Sequence, residues 1–127
     1  MKKIWFLLKV ILALFLIFGG IQHFISPNNY IAFVPSFLPF TIALIYVSGL
    51  FEILFGLALF FKKLEIIGAW GVLILMLLFL PIHVWDVFSE TPAIGSRNAA
   101  LIRLPLQFLL VGIAWKVKNN VSQYKLT

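Results

Sequence analysis

Residues 10–51 contain no Asp, Glu, Lys or Arg, an uncharged run too long for any element of an ordinary soluble domain. A membrane-spanning helix needs about 20 predominantly apolar residues, so two spans fit into this run if a turn divides it. Ser26, Pro27, Asn28 and Asn29 cluster at the start of residues 26–39 and place the turn there. The whole chain has the same character: 63% of its 127 residues are hydrophobic and 11% charged, against about 25% charged in soluble proteins. An integral membrane protein with no room for a soluble domain is expected. The absence of cysteine excludes disulfides, thiol catalysis and iron–sulfur ligation.

Four segments reach spanning length, at about residues 4–24, 39–61, 66–85 and 98–115. The predicted fold is an all-α membrane protein, a single domain of four transmembrane helices in an antiparallel bundle. Residues 62–65 form a short basic turn, which makes the second and third segments antiparallel neighbours. Residues 86–97, with Pro92 and Gly95, form the last loop. A secretory signal is the alternative for the first segment. No A-x-A-like site follows it, however, and it is long enough to span.

Lysine and arginine set the orientation. Lys2, Lys3, Lys9, Lys62, Lys63, Lys116, Lys118 and Lys125 fall on one side of a four-span arrangement, leaving Arg97 and Arg103 for the other. Both termini are therefore expected in the cytoplasm, with Trp5 and Trp115 at the inner interface and Trp85 at the outer one. The net charge of +6 is mainly a topology signal. Nucleic acid is excluded as a partner because the basic residues are scattered over short loops beside apolar spans.

Chemistry is expected among the polar residues that a bilayer tolerates poorly. Glu52 falls near the middle of the second span, where an ionised carboxylate is expensive and marks a functional site or a paired interior group. Ser48, Gly49, Glu52 and Gly56 share a face at helical spacing, and the small residues there admit a second helix. The bland alternative is a polar clamp between helices. Arg103 and Gln107 lie one turn apart on the fourth span, and together they can carry a polar track inward. Arg103 in isolation could instead snorkel to the outer headgroups. Pro105 removes a helical donor and predicts a kinked or irregular first turn.

His23 and His83 are expected at similar depth near the outer ends of the first and third spans, with Pro81 loosening the turns before His83. Asp86, three residues on, could orient the His83 ring. These histidines fit ordinary interfacial residues, a pocket shared with Glu52 and Arg103, or a metal or haem site. No metal is expected, because two histidines and a carboxylate match an iron triad only in composition. Gly19, Gly20, Gly49, Gly56, Gly68 and Gly71 are read as helix-packing positions. Lys9 is read as a snorkelling residue.

The stretches "GGIQHFISPNNY", "PSFLPF", "VSGLFEILFGLALF", "FLPIH" and "RLPLQ", in this order and spacing, resemble the DoxX-like family of small four-helix bacterial membrane proteins. The resemblance covers about residues 15–116 and implies a multi-pass protein of the bacterial inner membrane. It places His23, Pro27, Gly49, Gly56, Glu52, Pro81, Arg103 and Gln107 on recurrent family positions. His83 stands where an asparagine is often found. Relatives in that family are linked to quinone and thiosulfate redox systems.

The leading expectation is an accessory or ligand-binding protein rather than an enzyme, with a quinone-like or lipid-like molecule in a polar pocket of the outer half. Glu52 and Gln107 would be its deep hydrogen-bonding groups, Arg103 its cationic anchor, and His23 and His83 its mouth. The pocket could instead seat a membrane or periplasmic partner, and a homo-oligomer is a further possibility. One alternative is a proton-coupled small transporter using Glu52. Small multidrug exporters also have four helices and one membrane glutamate, but the one-sided lysines and the place of Glu52 in the second helix argue against that kinship. A haem or quinone redox enzyme is disfavoured by the absence of thiols and of a clear ligand motif.

Overall fold

A computed structural model describes residues 2–126, with side chains described through Ser122. Among the described residues the protein is all-helical. Four long helices, α1 (Lys2–Ile25), α2 (Thr41–Ala58), α3 (Glu65–Phe88) and α4 (Arg97–Leu126), are joined by turns, and a short 3-10 helix, η1 (Pro27–Phe33), follows α1. All four long helices are long and apolar enough to cross a membrane. Their outward faces carry exposed Leu, Ile, Phe and Trp side chains along most of their length, as a lipid-facing surface requires.

The boundaries differ from the sequence expectation for local reasons. The second helix begins at Thr41 rather than at residue 39, because Phe40 adopts a left-handed conformation with φ of 59° that no helix can include. It ends at Ala58, three residues early, in a run of 3-10-type bonds that includes Phe60 N–H to the Leu57 carbonyl and Phe61 N–H to the Ala58 carbonyl. Asp86 lies inside α3 rather than in the following loop. The loop closes at Gly95, whose φ of 116° suits glycine, and Ser96 Oγ then accepts the Ala99 N–H at 3.1 Å to start α4. The fourth helix runs unbroken through Pro105, so the expected irregular first turn is absent. It also continues past residue 115, because nothing in its lysine- and asparagine-bearing tail breaks a helix. Thirty residues make it about 45 Å long.

Helices α1 and α2 form one tightly packed pair and α3 and α4 another, with α2 and α3 joining the pairs. The core is concentrated toward one end. It is built from Leu12, Ala13 and Leu16 of α1, Leu59 after α2, Ala69, Val72, Leu73 and Met76 of α3, and Ala114, Val117 and Val121 of α4. Two cations are tied down at that end. Lys9 bonds Glu65 Oε2 at 3.1 Å, which corrects the snorkelling expectation for Lys9. Lys118 is buried, with Nζ 4.6 Å from the Trp70 ring centre and 4.1 Å from that of Trp115, within cation–π range. The Lys125 side chain, part of the charge count, lies outside the described residues.

Candidate functional site

At the opposite end the helices separate around a cavity of about 670 Å³. This lies inside the range of roughly 300–1,000 Å³ typical of small-molecule pockets. Its walls are mostly apolar, with Phe15, Leu44, Ile45, Met76, Phe79 and Ile82 prominent, while His23, Ser48, Glu52, His83 and Arg103 supply the polar groups. Phe15, Leu38, Leu44 and Leu78 on its rim are exposed and apolar. The opening therefore faces the surface that lipid would cover.

Sequence spacing explains the convergence on the α1–α2 side. Gly20 and Gly49 lack side chains where the two backbones cross: a Cβ on Gly20 would lie 2.6 Å from the Gly49 carbonyl oxygen. That contact is impossible for a real side chain. The close approach brings His23 of α1 against Ser48 and Glu52 of α2. His23 Nδ1 lies 2.9 Å from the Ile45 carbonyl oxygen and 3.1 Å from Ser48 Oγ. Ser48 Oγ donates its own proton to the same Ile45 carbonyl, also at 2.9 Å. A carbonyl only accepts, so Nδ1 must carry a proton.

The other ring nitrogen then faces the carboxyl group. His23 Nε2 is 3.4 Å from Glu52 Oε2, and both side chains are nine-tenths or more buried. The contact is not a hydrogen bond, and Glu52 Oε2 has no hydrogen-bond partner in the protein. With Nδ1–H fixed, the pair can hold two exchangeable protons, one or none. One proton gives a neutral dyad, as carboxylic acid with imidazole or as carboxylate with imidazolium. Removing it leaves one negative charge.

Arg103 reaches the same cavity from α4. Its Nη1 is buried and makes no hydrogen bond to protein. No carboxylate lies within ion-pair distance of it among the described residues, although Glu52 is close enough for their charges to interact. One guanidinium nitrogen is thus enclosed by protein, while the side chain as a whole is half-buried. His83 lines the cavity from α3, its ring edge-on to Phe33 with centroids 6.0 Å apart.

Three expected roles are corrected. Gln107 is fully buried but does not line the cavity; its Nε2 donates to the Met76 carbonyl at 2.7 Å. That carbonyl sits beside the Leu77 carbonyl, which Pro81 leaves without a helical donor, and the bond ties α4 to α3 rather than extending a track to Glu52. Asp86 does not orient His83: its two carboxylate oxygens accept the backbone N–H groups of Ala93 and Ile94 and pin the α3–α4 loop to the end of α3. Gly49, Gly56, Gly68 and Gly71 do stand at tight helix contacts, but Gly19 does not. A Cβ there would meet Glu52 Oε2 at an ordinary 3.5 Å, so Gly19 leaves open the space in front of the carboxyl group.

Residues 27–33, expected only as a polar turn, supply a wall that sequence reasoning missed. Tyr30 packs on the His23 ring with centroids 4.1 Å apart, and Phe33 continues the wall toward His83. Burial, and behind it the negative charge Glu52 can carry, push the Tyr30 phenol above its usual range. Its hydroxyl is therefore neutral at any physiological pH. The signal was present in the spacing of Tyr30 and Phe33, three apart in a segment too apolar for a solvated loop.

Among the described residues no three His, Asp or Glu side chains converge as metal ligands. No curated protein and no solved structure matches the chain. A family model does, across residues 12–118, a stretch that enters all four long helices. The chain belongs to the family described as Domain of unknown function (DUF8561).

Proposed function

We propose that this chain is an accessory or ligand-binding protein of the bacterial cytoplasmic membrane. It is an antiparallel four-helix bundle with both termini cytoplasmic, and its outer-half cavity takes an amphipathic, quinone-like or lipid-like molecule. One observation carries this reading: Arg103, which pairs with no carboxylate among the described residues, stands on the wall of a mostly apolar cavity. A cation on an apolar wall without a carboxylate partner favours an anionic or hydrogen-bond-accepting ligand group beside it. The resemblance to DoxX-like proteins supports the same reading. The test is mass spectrometry of small molecules that co-purify with the protein. The wild type should retain an amphiphile that Arg103→Gln loses; equal, background-level lipid and quinone content in both would overturn the proposal.

Orientation is supported by the gathering of Lys9 and Lys118 at the densely packed end, away from Arg103. A reporter fused after Thr127 should be active as a cytoplasmic fusion and silent as a periplasmic one. The opposite pattern would invert the arrangement and put the cavity in the inner half. The His23–Glu52 dyad favours one second reading, a proton-coupled transporter, in which the exchangeable proton drives a solute through the cavity. Uptake into vesicles that depends on a pH gradient and is lost in Glu52→Gln would establish it.

A further inference from the structure

The charges lining the cavity limit the head group it accepts. Arg103 is fixed and positive. Facing Glu52 are His23 from α1, Tyr30 from η1 and Arg103 from α4, and His83 from α3 lines the same cavity beside Arg103. Tyr30 is neutral, and the nearby Asp86 carboxylate is held by the Ala93 and Ile94 backbone. Two titratable sites then remain around Arg103, His83 and the His23–Glu52 dyad, and of these only the dyad can carry a negative charge. Without its exchangeable proton the dyad carries one negative charge and balances Arg103. With the proton it is neutral, and the guanidinium is left with one positive charge and an unpartnered buried nitrogen.

We infer that the cavity takes a single-chain amphiphile with an anionic oxygen head group, the head seated on Arg103, and that the His23–Glu52 pair binds one proton for each anion. This rests on the ligand-binding reading above and adds its chemical class. An anion entering beside an unprotonated dyad would place two negative charges against one cation in an apolar enclosure. One entering with a proton leaves the enclosure neutral. The only bond made is the N–H or O–H bond of the added proton, which comes from solvent and sits on His23 Nε2 or on the Glu52 carboxylate. The tail leaves through the exposed apolar rim at Phe15, Leu44 and Leu78. A cavity of about 670 Å³ admits one chain and a small head more readily than a whole two-chain lipid.

Hexadecyl sulfonate is the appropriate probe because it stays ionised at every working pH, and hexadecanol is its neutral match. Binding is measured calorimetrically on the full chain in phosphatidylcholine nanodiscs between pH 6 and 9. The sulfonate should bind at least tenfold more tightly than the alcohol. On the alkaline arm its affinity should fall toward tenfold per pH unit, the limit for one linked proton. Binding enthalpies in buffers of different ionisation enthalpy should show uptake of up to one proton, a readout that needs no variant. Arg103→Gln should lose the preference for sulfonate and keep the alcohol, Arg103→Lys should restore part of it, and Glu52→Gln should flatten the pH dependence. Equal binding of both probes, or sulfonate binding without proton uptake at any pH, overturns this inference and leaves the ligand-binding reading standing. Binding of neither probe overturns both. Loss of sulfonate binding when phosphatidylglycerol is added would assign the site to a two-chain lipid and overturn the single-chain class.

Discussion

Gly49→Ala destabilises the protein by about 1–3 kcal/mol, the usual cost of forcing an extra methyl into a filled contact. The new Cβ would lie 2.9 Å from the Gly20 carbonyl oxygen and closer still to the His23 side chain. The backbone oxygen cannot rotate away, so α1 and α2 must separate along their principal contact. Gly112→Ala is the internal control. Nothing lies within 4 Å of a Cβ at Gly112, so alanine's better helix propensity leaves stability unchanged or raises it by up to about 1 kcal/mol. Thermal unfolding of the two variants in one detergent decides the matter. Equal midpoints would remove the close crossing that places His23 against Glu52.

Arg103→Leu has opposite effects on the free and the loaded protein. The ligand-free form should be at least as stable as wild type, because the substitution removes a buried donor that has no protein partner. Ligand retention should fall by a factor of roughly ten to a hundred or more, equivalent to about 1.5–3 kcal/mol for a charge-assisted hydrogen bond. Unfolding after delipidation and mass spectrometry before it give the two halves. A variant that is destabilised when empty yet keeps its ligand would make Arg103 a structural group.

The span count, the interior placement of Glu52 and the packing glycines of α2 and α3 were legible in the sequence, because hydropathy and three-to-four spacing report which face a helix buries. Contacts between helices were less legible. Gln107 lies on the face expected from its spacing with Arg103, yet its partner, the Met76 carbonyl, belongs to a different helix, which spacing within α4 does not report. Lys9 looked like a lone basic residue because Glu65, 56 positions away, becomes its partner only when α1 meets α3. The end of α2 was masked because Leu59, Phe60 and Phe61 are as apolar as the helix before them, so hydropathy could not see the change to 3-10 bonds. Tyr30 and Phe33 were hidden by neighbouring Pro27, Asn28 and Asn29, whose turn chemistry is real but is spent on a 3-10 helix that closes one side of the cavity.

The proposed function requires Glu52 and Arg103 to face one ligand in one cavity. A double-mutant cycle on Glu52→Gln and Arg103→Gln, read as retained amphiphile and as thermal stability in detergent, tests it most directly. A shared cavity predicts coupling above about 0.5 kcal/mol, because each side chain sets the charge the other must balance. Strict additivity in both readouts, with wild-type ligand content in each single variant, would contradict it.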